Sequence, residues 1–150
     1  MRFLVDSHLG KVAKLLRFLG FDAEIMVGDY YELAARALRE GRVLLTRREE
    51  ARKKNLVKAL VFKEREPELI VKRVIEALKL EGEVKPFSRC PVCNVPLEEV
   101  SKEEVKGLVP PFVYQTHDQF SRCPRCGRVY WEGSHVEDIK RRLRSAGIEL

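Results

Sequence analysis

Short apolar runs alternate with amphipathic ones through the first half of the chain. Phe3-Leu4-Val5 is a brief strand-like run, and it leads into Lys11–Leu19, where apolar residues cluster at helical spacing and Gly20 is placed to cap the end. Ala23–Val27 reads as a second strand. Tyr30, Leu33, Ala34, Ala37 and Leu38 then form one helical face, closed by Gly41. Val43-Leu44-Leu45 is a third, buried strand, followed by a polar helical turn over Glu49–Lys54. Leu56–Phe62, rich in branched residues, reads as a fourth strand. Pro67 suits the first turn of a helix, and Glu68–Leu80 would bury Val71, Val74, Ile75 and Leu78 before Gly82 ends it. Strands alternating with helices in this way predict βαβ units, hence an α/β fold with a parallel sheet covered on both faces. A single sequence does not encode the strand order.

Near Pro86 the pattern breaks into short segments that hold all four cysteines. A last helix, His135 to about Ala146, places Val136, Ile139 and Leu143 on one side, with Ser134 and Glu137 expected as its capping box. The chain therefore divides into an α/β domain at residues 1–85 and a second unit at 86–150, a cysteine ribbon plus the C-terminal helix.

Composition narrows the class. Of the 150 residues 45% are hydrophobic, enough for a real core. Charged residues make up 35%, against roughly 25% in an average globular protein. Amides occur only at Asn55, Asn94, Gln115 and Gln119, a bias shared with ion-pair-rich thermophile proteins. The net charge of +6 is uneven: residues 1–85 hold 19 basic against 14 acidic side chains (+5), and the remainder 10 against 9 (+1). That excess is compatible with a nucleic-acid partner and equally with solvated helix faces. No stretch has the form of a signal peptide, and no run of about 18 apolar residues would span a bilayer. The expectation is a cytoplasmic protein with no membrane attachment.

Cys90-Pro-Val-Cys93 and Cys123-Pro-Arg-Cys126-Gly127 are the most specific local signal. Two residues between cysteines let one tight turn aim both sulfurs at one ion, and two such turns supply the four soft ligands of tetrahedral zinc. The loop between them has too little apolar content to fold securely, so metal affinity would become folding stability. Disulfides are a competing reading, permitted in hyperthermophile cytoplasm. A redox Cys-x-x-Cys would need only one pair. A full set of four thiolates makes the zinc structural, and leaves His117 and His135 as loop or helix-start residues.

Carboxylates mark the strand ends. Ligands of open parallel sheets bind beyond the carboxyl ends of the strands. There Asp6 follows the first strand, Asp29 the second, and Glu49 and Glu50 the third. Converging acids would suit Mg²⁺ or Mn²⁺, which could orient water for attack on a phosphodiester. Two positions have a simpler reading, because Asp29-Tyr-Tyr-Glu32 and Thr46-Arg-Arg-Glu49 both have capping-box spacing. Around the acids lie Lys11, Arg17, Arg47, Arg48, Arg52, Lys53 and Lys54, candidates for gripping a phosphate backbone. Phe112, Tyr114, Tyr130 and Trp131 suit either base stacking or, more commonly, the small core of a ribbon.

These residues together resemble a known family. Phe3-Leu-Val-Asp6, Leu9-Gly-Lys11, Leu15-Leu-Arg17-Phe-Leu-Gly20 and Val43-Leu-Leu-Thr46-Arg47 resemble the start of the PIN-like ribonuclease domain of the Mut-seven C-terminal family. That domain is appended to mutator-type exonucleases of animals and stands alone in many prokaryotes. More specific still are Phe87-Ser-Arg-Cys90-Pro-Val-Cys93-Asn94, Val109-Pro-Pro-Phe-Val-Tyr114-Gln-Thr-His117, Arg122-Cys-Pro-Arg-Cys-Gly127 and Tyr130-Trp-Glu-Gly-Ser-His135. The resemblance implies a PIN-like fold, a C-terminal zinc ribbon and metal-dependent RNA cleavage by clustered acids. Asp6 matches the acid after the first strand, and Asp29 the second acid more loosely. The third acid is missing. The family has Thr-Arg-Asp where this chain has Thr46-Arg47-Arg48, so a guanidinium stands where a ligand belongs unless Glu49 replaces it.

The leading expectation is an endoribonuclease with Mg²⁺ or Mn²⁺ on Asp6, Asp29 and Glu49. RNA would be held by Lys11, Arg17, Arg47, Arg48 and Lys53, and zinc by Cys90, Cys93, Cys123 and Cys126. The rival is a catalytically degenerate RNA-binding or adaptor module, with Arg48 in its favour. A third possibility is a protein partner docked on the ribbon.

Overall fold

The computed structural model describes residues 1–150. Four parallel strands, β1 (Arg2–Asp6), β2 (Asp22–Met26), β3 (Val43–Thr46) and β4 (Ala59–Val61), form one sheet in the order β2-β1-β3-β4. Helices α1 (Gly10–Phe18), α2 (Tyr30–Glu40), α3 (Glu50–Lys54) and α4 (Pro67–Leu78) connect or follow them. The fourth strand is shorter than the expected Leu56–Phe62, because Asn55 ends α3 in a left-handed conformation (φ 48°) and the chain bends at Val57 before entering the sheet.

Side chains alternate across a strand, so adjacent residues build opposite cores. Phe3, Val5, Val43 and Leu45 face α1 and α4 in the larger cluster. Leu4 and Leu44 face α2 and α3, beside Tyr30, Leu33 and Ala51. Both faces are covered, as the continuous apolar runs require. Asp6 and Thr46 extend the Leu4 and Leu44 rows, which puts them at the carboxyl edge on the α2 side.

The second sheet is antiparallel, β5 (Glu98–Val100), β6 (Phe120–Arg122) and β7 (Val129–Tyr130) in that order. With the short α5 (Pro111–Thr116) it encloses a small core of Val105, Val109 and Phe120, sealed by Tyr114 and Trp131. Phe112 stands 72% exposed. The last helix, α6 (Ser134–Ser145), begins one residue before its expected start. Gly133 is its N-cap and no side chain caps it, so the capping box expected of Ser134 and Glu137 does not form.

The C-terminal helix packs away from the ribbon core. Val136 and Leu143 of α6, with Ile148 beyond it, lie in the same core cluster as β1, α1 and α4. The C-terminal helix thus belongs to the α/β layer, and the ribbon is an excursion between α4 and α6. Gly20 shows how closely the excursion returns. Its φ is +95°, and an added Cβ would stand 2.7 Å from the Ser88 hydroxyl and 3.1 Å from the Lys85 carbonyl. No helix is long and apolar enough to cross a membrane.

Candidate functional site

The four cysteines come together as the spacing predicts. One sulfur from each of Cys90, Cys93, Cys123 and Cys126 lies within 4.8 Å of all the others. In each knuckle the backbone N–H of the second cysteine donates to the sulfur of the first at 3.4 Å. The residue after each knuckle turns left-handed, Asn94 at φ 58° and Gly127 at 77°, and donates its N–H to the first cysteine's carbonyl at 2.9 Å. Zinc–sulfur bonds of about 2.3 Å put tetrahedral sulfurs roughly 3.8 Å apart, and Cys90 and Cys126 are 3.9 Å apart. The set therefore fits a structural zinc. All four cysteines are free thiols, without a disulfide. His117 and His135 stand outside the cluster. His117 instead pairs with Thr116 and the Glu132 carbonyl.

Charge in the cluster also asks for a cation. Burial pushes the Cys90 thiol up, but hydrogen bonds from the Tyr130 hydroxyl and from the Cys93 and Val92 amides outweigh it and bring the thiol down to about 6. Burial and the neighbouring Cys126 and Cys123 sulfurs push Cys93 up to about 12. One thiolate forms readily at Cys90, while ionisation of Cys93 is opposed by burial and by the Cys123 and Cys126 sulfurs. A divalent ion removes that opposition.

The knuckle is clamped to the parallel sheet. Asn94 accepts from the Ala23 amide at 3.1 Å and donates to Asp22 at 2.7 Å and Glu24 at 3.1 Å. The exposed side of edge strand β2 is thereby covered. Arg17, expected among the RNA-gripping residues, is buried and donates to the carbonyls of Ala23 and Pro91 at 2.8 and 2.7 Å. Its place four residues after buried Ala13 on the apolar stripe of α1 was the available signal. Sequence reading also missed Asn94, for which the only hint was a polar residue in the turn position after the first knuckle.

The carboxylates behave differently. Asp6 is fully buried at the end of β1 and accepts on one oxygen, Oδ2, from the Thr46 hydroxyl at 2.8 Å and Arg48 Nε at 3.0 Å. Its other oxygen, Oδ1, is buried with no partner. Arg48 also donates to the Gly28 carbonyl at 2.8 Å, so one guanidinium joins the ends of β1 and β2 to the turn after β3. Thr46 is not the expected capping residue, because its hydroxyl donates to Asp6 and accepts from the Arg48 amide at 3.1 Å. Asp29 does form its capping box with Glu32. Glu49 pairs with Arg52 at 2.8 Å. Asp6, Asp29 and Glu49 are not gathered into a group of three potential ligands, whereas the four cysteines are. As they stand, these acids do not fit Mg²⁺ or Mn²⁺: a single carboxylate faces a cation already in place.

Cations dominate the other side of the same edge. Lys11 and Arg47, expected to contact RNA, are exposed and line a cavity with His8, Lys14 and Arg65. Lys53 is exposed on α3.

The chain is thus an α/β protein with a parallel sheet, a carboxylate at the end of its first strand, basic side chains along that edge and a clamped four-cysteine ribbon. A family model described as the Mut7-C RNAse domain matches residues 1–143, and the chain belongs to that family. Membership suggests a ribonuclease and implies RNA as the substrate class. No curated protein and no solved structure matches the chain.

Proposed function

We propose that this domain engages RNA along the carboxyl edge of its parallel sheet, and that its acid centre is closed to a divalent ion by Arg48. The observation that carries the reading is the pair between Arg48 and buried Asp6. The family has an acid where Arg48 stands, so the exchange replaces a ligand by a fixed positive charge. That charge repels an incoming ion. The guanidinium spans the strand ends that clustered acids would otherwise need a metal to neutralise together. Lys11, Arg47 and Lys53 remain free to meet phosphates, which fix position without reading sequence. Zinc in the ribbon keeps the clamp on β2 rigid and takes no part in chemistry, its four positions being filled by sulfur.

A cleaving ribonuclease, using Mg²⁺ or Mn²⁺ on Asp6 with Asp29 and Glu49, has one observation in its favour. The unpartnered Oδ1 of Asp6 carries a desolvation cost of about 1–3 kcal/mol, and an orphaned buried oxygen is where an unseen water or ion would sit. This reading requires Arg48 to withdraw and Asp29 to leave its helix cap.

Both readings meet in one experiment. Wild type and Asp6→Ala are compared on labelled single-stranded RNA with Mg²⁺ or Mn²⁺, following binding and turnover. The expected result is binding that weakens with salt at a log–log slope of about −0.7 per phosphate contact, with no turnover. Turnover by wild type that Asp6→Ala abolishes would establish the cleaving enzyme instead. Absence of RNA binding at low salt would remove both, and would favour a protein partner on the ribbon, where Phe112 and Leu108 stand exposed.

A further inference from the structure

We infer that the cavity between the starts of α1 and α4 is a receptor for a phosphate monoester, the dianionic group carried by a phosphorylated RNA end or a free mononucleotide. The inference rests on the RNA reading above and deepens it by naming the chemical group the edge selects.

The cavity holds about 380 Å³, within the roughly 300–1,000 Å³ typical of small-molecule sites. Its polar side chains are four cations and a histidine: His8, Lys11 and Lys14 from the first helical segments, Arg47 from the turn after β3, and Arg65 from the approach to α4. No carboxylate lines it. None of the five makes an ion pair anywhere in the molecule, although other surface cations such as Arg52, Arg73 and Lys140 do. Arg47 has only a long contact of 3.5 Å to the Phe62 carbonyl. Uncompensated cations repel one another, and converging them around one concavity is unfavourable unless an anion is there to meet them.

Their sources in the chain matter as much as their number. The groups come from three separate segments, so the convergence is a product of the fold and not of a local charge run. Val12, Ile25 and Ile70 supply an apolar wall that holds water back from part of the site and strengthens the charge interactions inside it. A phosphodiester brings one negative charge, whereas a monoester brings about 1.5–2 at neutral pH with three acceptor oxygens. A site with this many donors discriminates in favour of the monoester.

Position ties the pocket to the acid edge without merging the two. Arg47 and Arg48 are consecutive, and they turn to opposite faces of the sheet. Arg48 reaches Asp6 on the α2 side, while Arg47 joins the cavity on the α1 and α4 side. An RNA terminus seated in the pocket would lead its chain over the sheet edge toward Asp6.

The test uses the zinc-loaded full chain and one labelled single-stranded RNA made with a 5′-phosphate, a 3′-phosphate or hydroxyl ends. Affinities are measured at low salt by fluorescence anisotropy, with AMP, adenosine and inorganic phosphate as competitors. One phosphorylated end is expected to bind about tenfold more tightly than the hydroxyl-ended RNA, the scale of one added charge-assisted contact. AMP should compete where adenosine does not. The Lys14→Ala/Arg65→Ala double variant, at exposed positions, should erase the end preference while keeping most of the affinity for hydroxyl-ended RNA. Equal binding of all three ends with no competition by AMP overturns the pocket and leaves the RNA reading intact. Binding of AMP or phosphate that the double variant abolishes, with no binding of any RNA, supports the pocket for the free mononucleotide and removes the RNA reading.

Discussion

The ribbon and the sheet edge each carry side chains of the kinds that hold metals, and they arrive at opposite outcomes. Four thiols gather within 4.8 Å of one another. Three carboxylates expected at the strand ends disperse, one to an arginine, one to a helix cap and one to a neighbour on its own turn. Cysteines in Cys-x-x-Cys pairs have no better partner than a shared ion, because the turn itself aims the sulfurs. A carboxylate accepts from any nearby donor, and this chain places a donor beside each one. Ligand convergence is a local property in the ribbon and a tertiary one at the edge.

The largest effect should come from the ribbon. Structural zinc sites in small domains are worth on the order of 10 kcal/mol. Chelation, or Cys90→Ala, should therefore unfold residues 86–133 and lower the melting temperature by about 10 °C or more. Elemental analysis should find one zinc per chain. A melting temperature unchanged by chelator, with zinc demonstrably removed, would break the contrast between the two centres.

Next in size is Arg48. Its removal leaves the buried Asp6 carboxylate without its charged partner, and Arg48→Ala should cost about 1–3 kcal/mol in metal-free buffer, read from urea unfolding. Arg48→Asp puts a second acid in place of the guanidinium. It should make Mn²⁺ raise the melting temperature, an effect expected to be absent in wild type. Equal Mn²⁺ responses of the two proteins would show that Arg48 does not close the centre.

Smaller effects belong to the clamp. Asn94→Ala removes three hydrogen bonds between the ribbon and β2, and should destabilise the fold by about 1–2 kcal/mol. Asp22 gives the clamp a pH signature. Burial works to raise its carboxyl, but hydrogen bonds from Arg42, Asn94 and Arg2 outweigh burial and hold it below the ordinary carboxylate range. A depressed folded-state value means this stabilisation is complete above the unfolded carboxylate pKa near 4 and is lost as pH falls through the lower folded-state value. In Asp22→Asn the acid limb of the stability curve should be correspondingly shallower. Superimposable acid limbs would show that the carboxylate contributes nothing there.

Much of this was legible in the sequence for a physical reason. Helical and strand periodicity marks burial directly, so β1 to β3, α1, α2 and α4 fall within a residue or two of their expected positions. Gly41 ends α2 with a left-handed turn, as a glycine after the last periodic residue should (φ 64°). The two knuckles needed no tertiary information. What sequence could not supply were contacts across long separations. Thr46 has a capping residue's identity and spacing, yet its hydroxyl is taken by Asp6, 40 residues away. Arg17 looks like one more surface cation until the Pro91 carbonyl, 74 residues on, is seen to receive it. The polar side chains of the pocket are separated by up to 57 positions, from His8 to Arg65, and no local window joins them.

The return of α6 to the main core has a consequence for how the molecule assembles. Val136, Leu143 and Ile148 join a core begun by Phe3 and Val5, so that core stays incomplete until residues 136–148 have left the ribosome. During synthesis the sheet would emerge with part of its α1 and α4 side uncovered, then the cysteine-bearing excursion, and after it the helix that completes that side. Contacts of such long sequence separation slow folding, and they make α6 a lock on the sheet and helices that precede it.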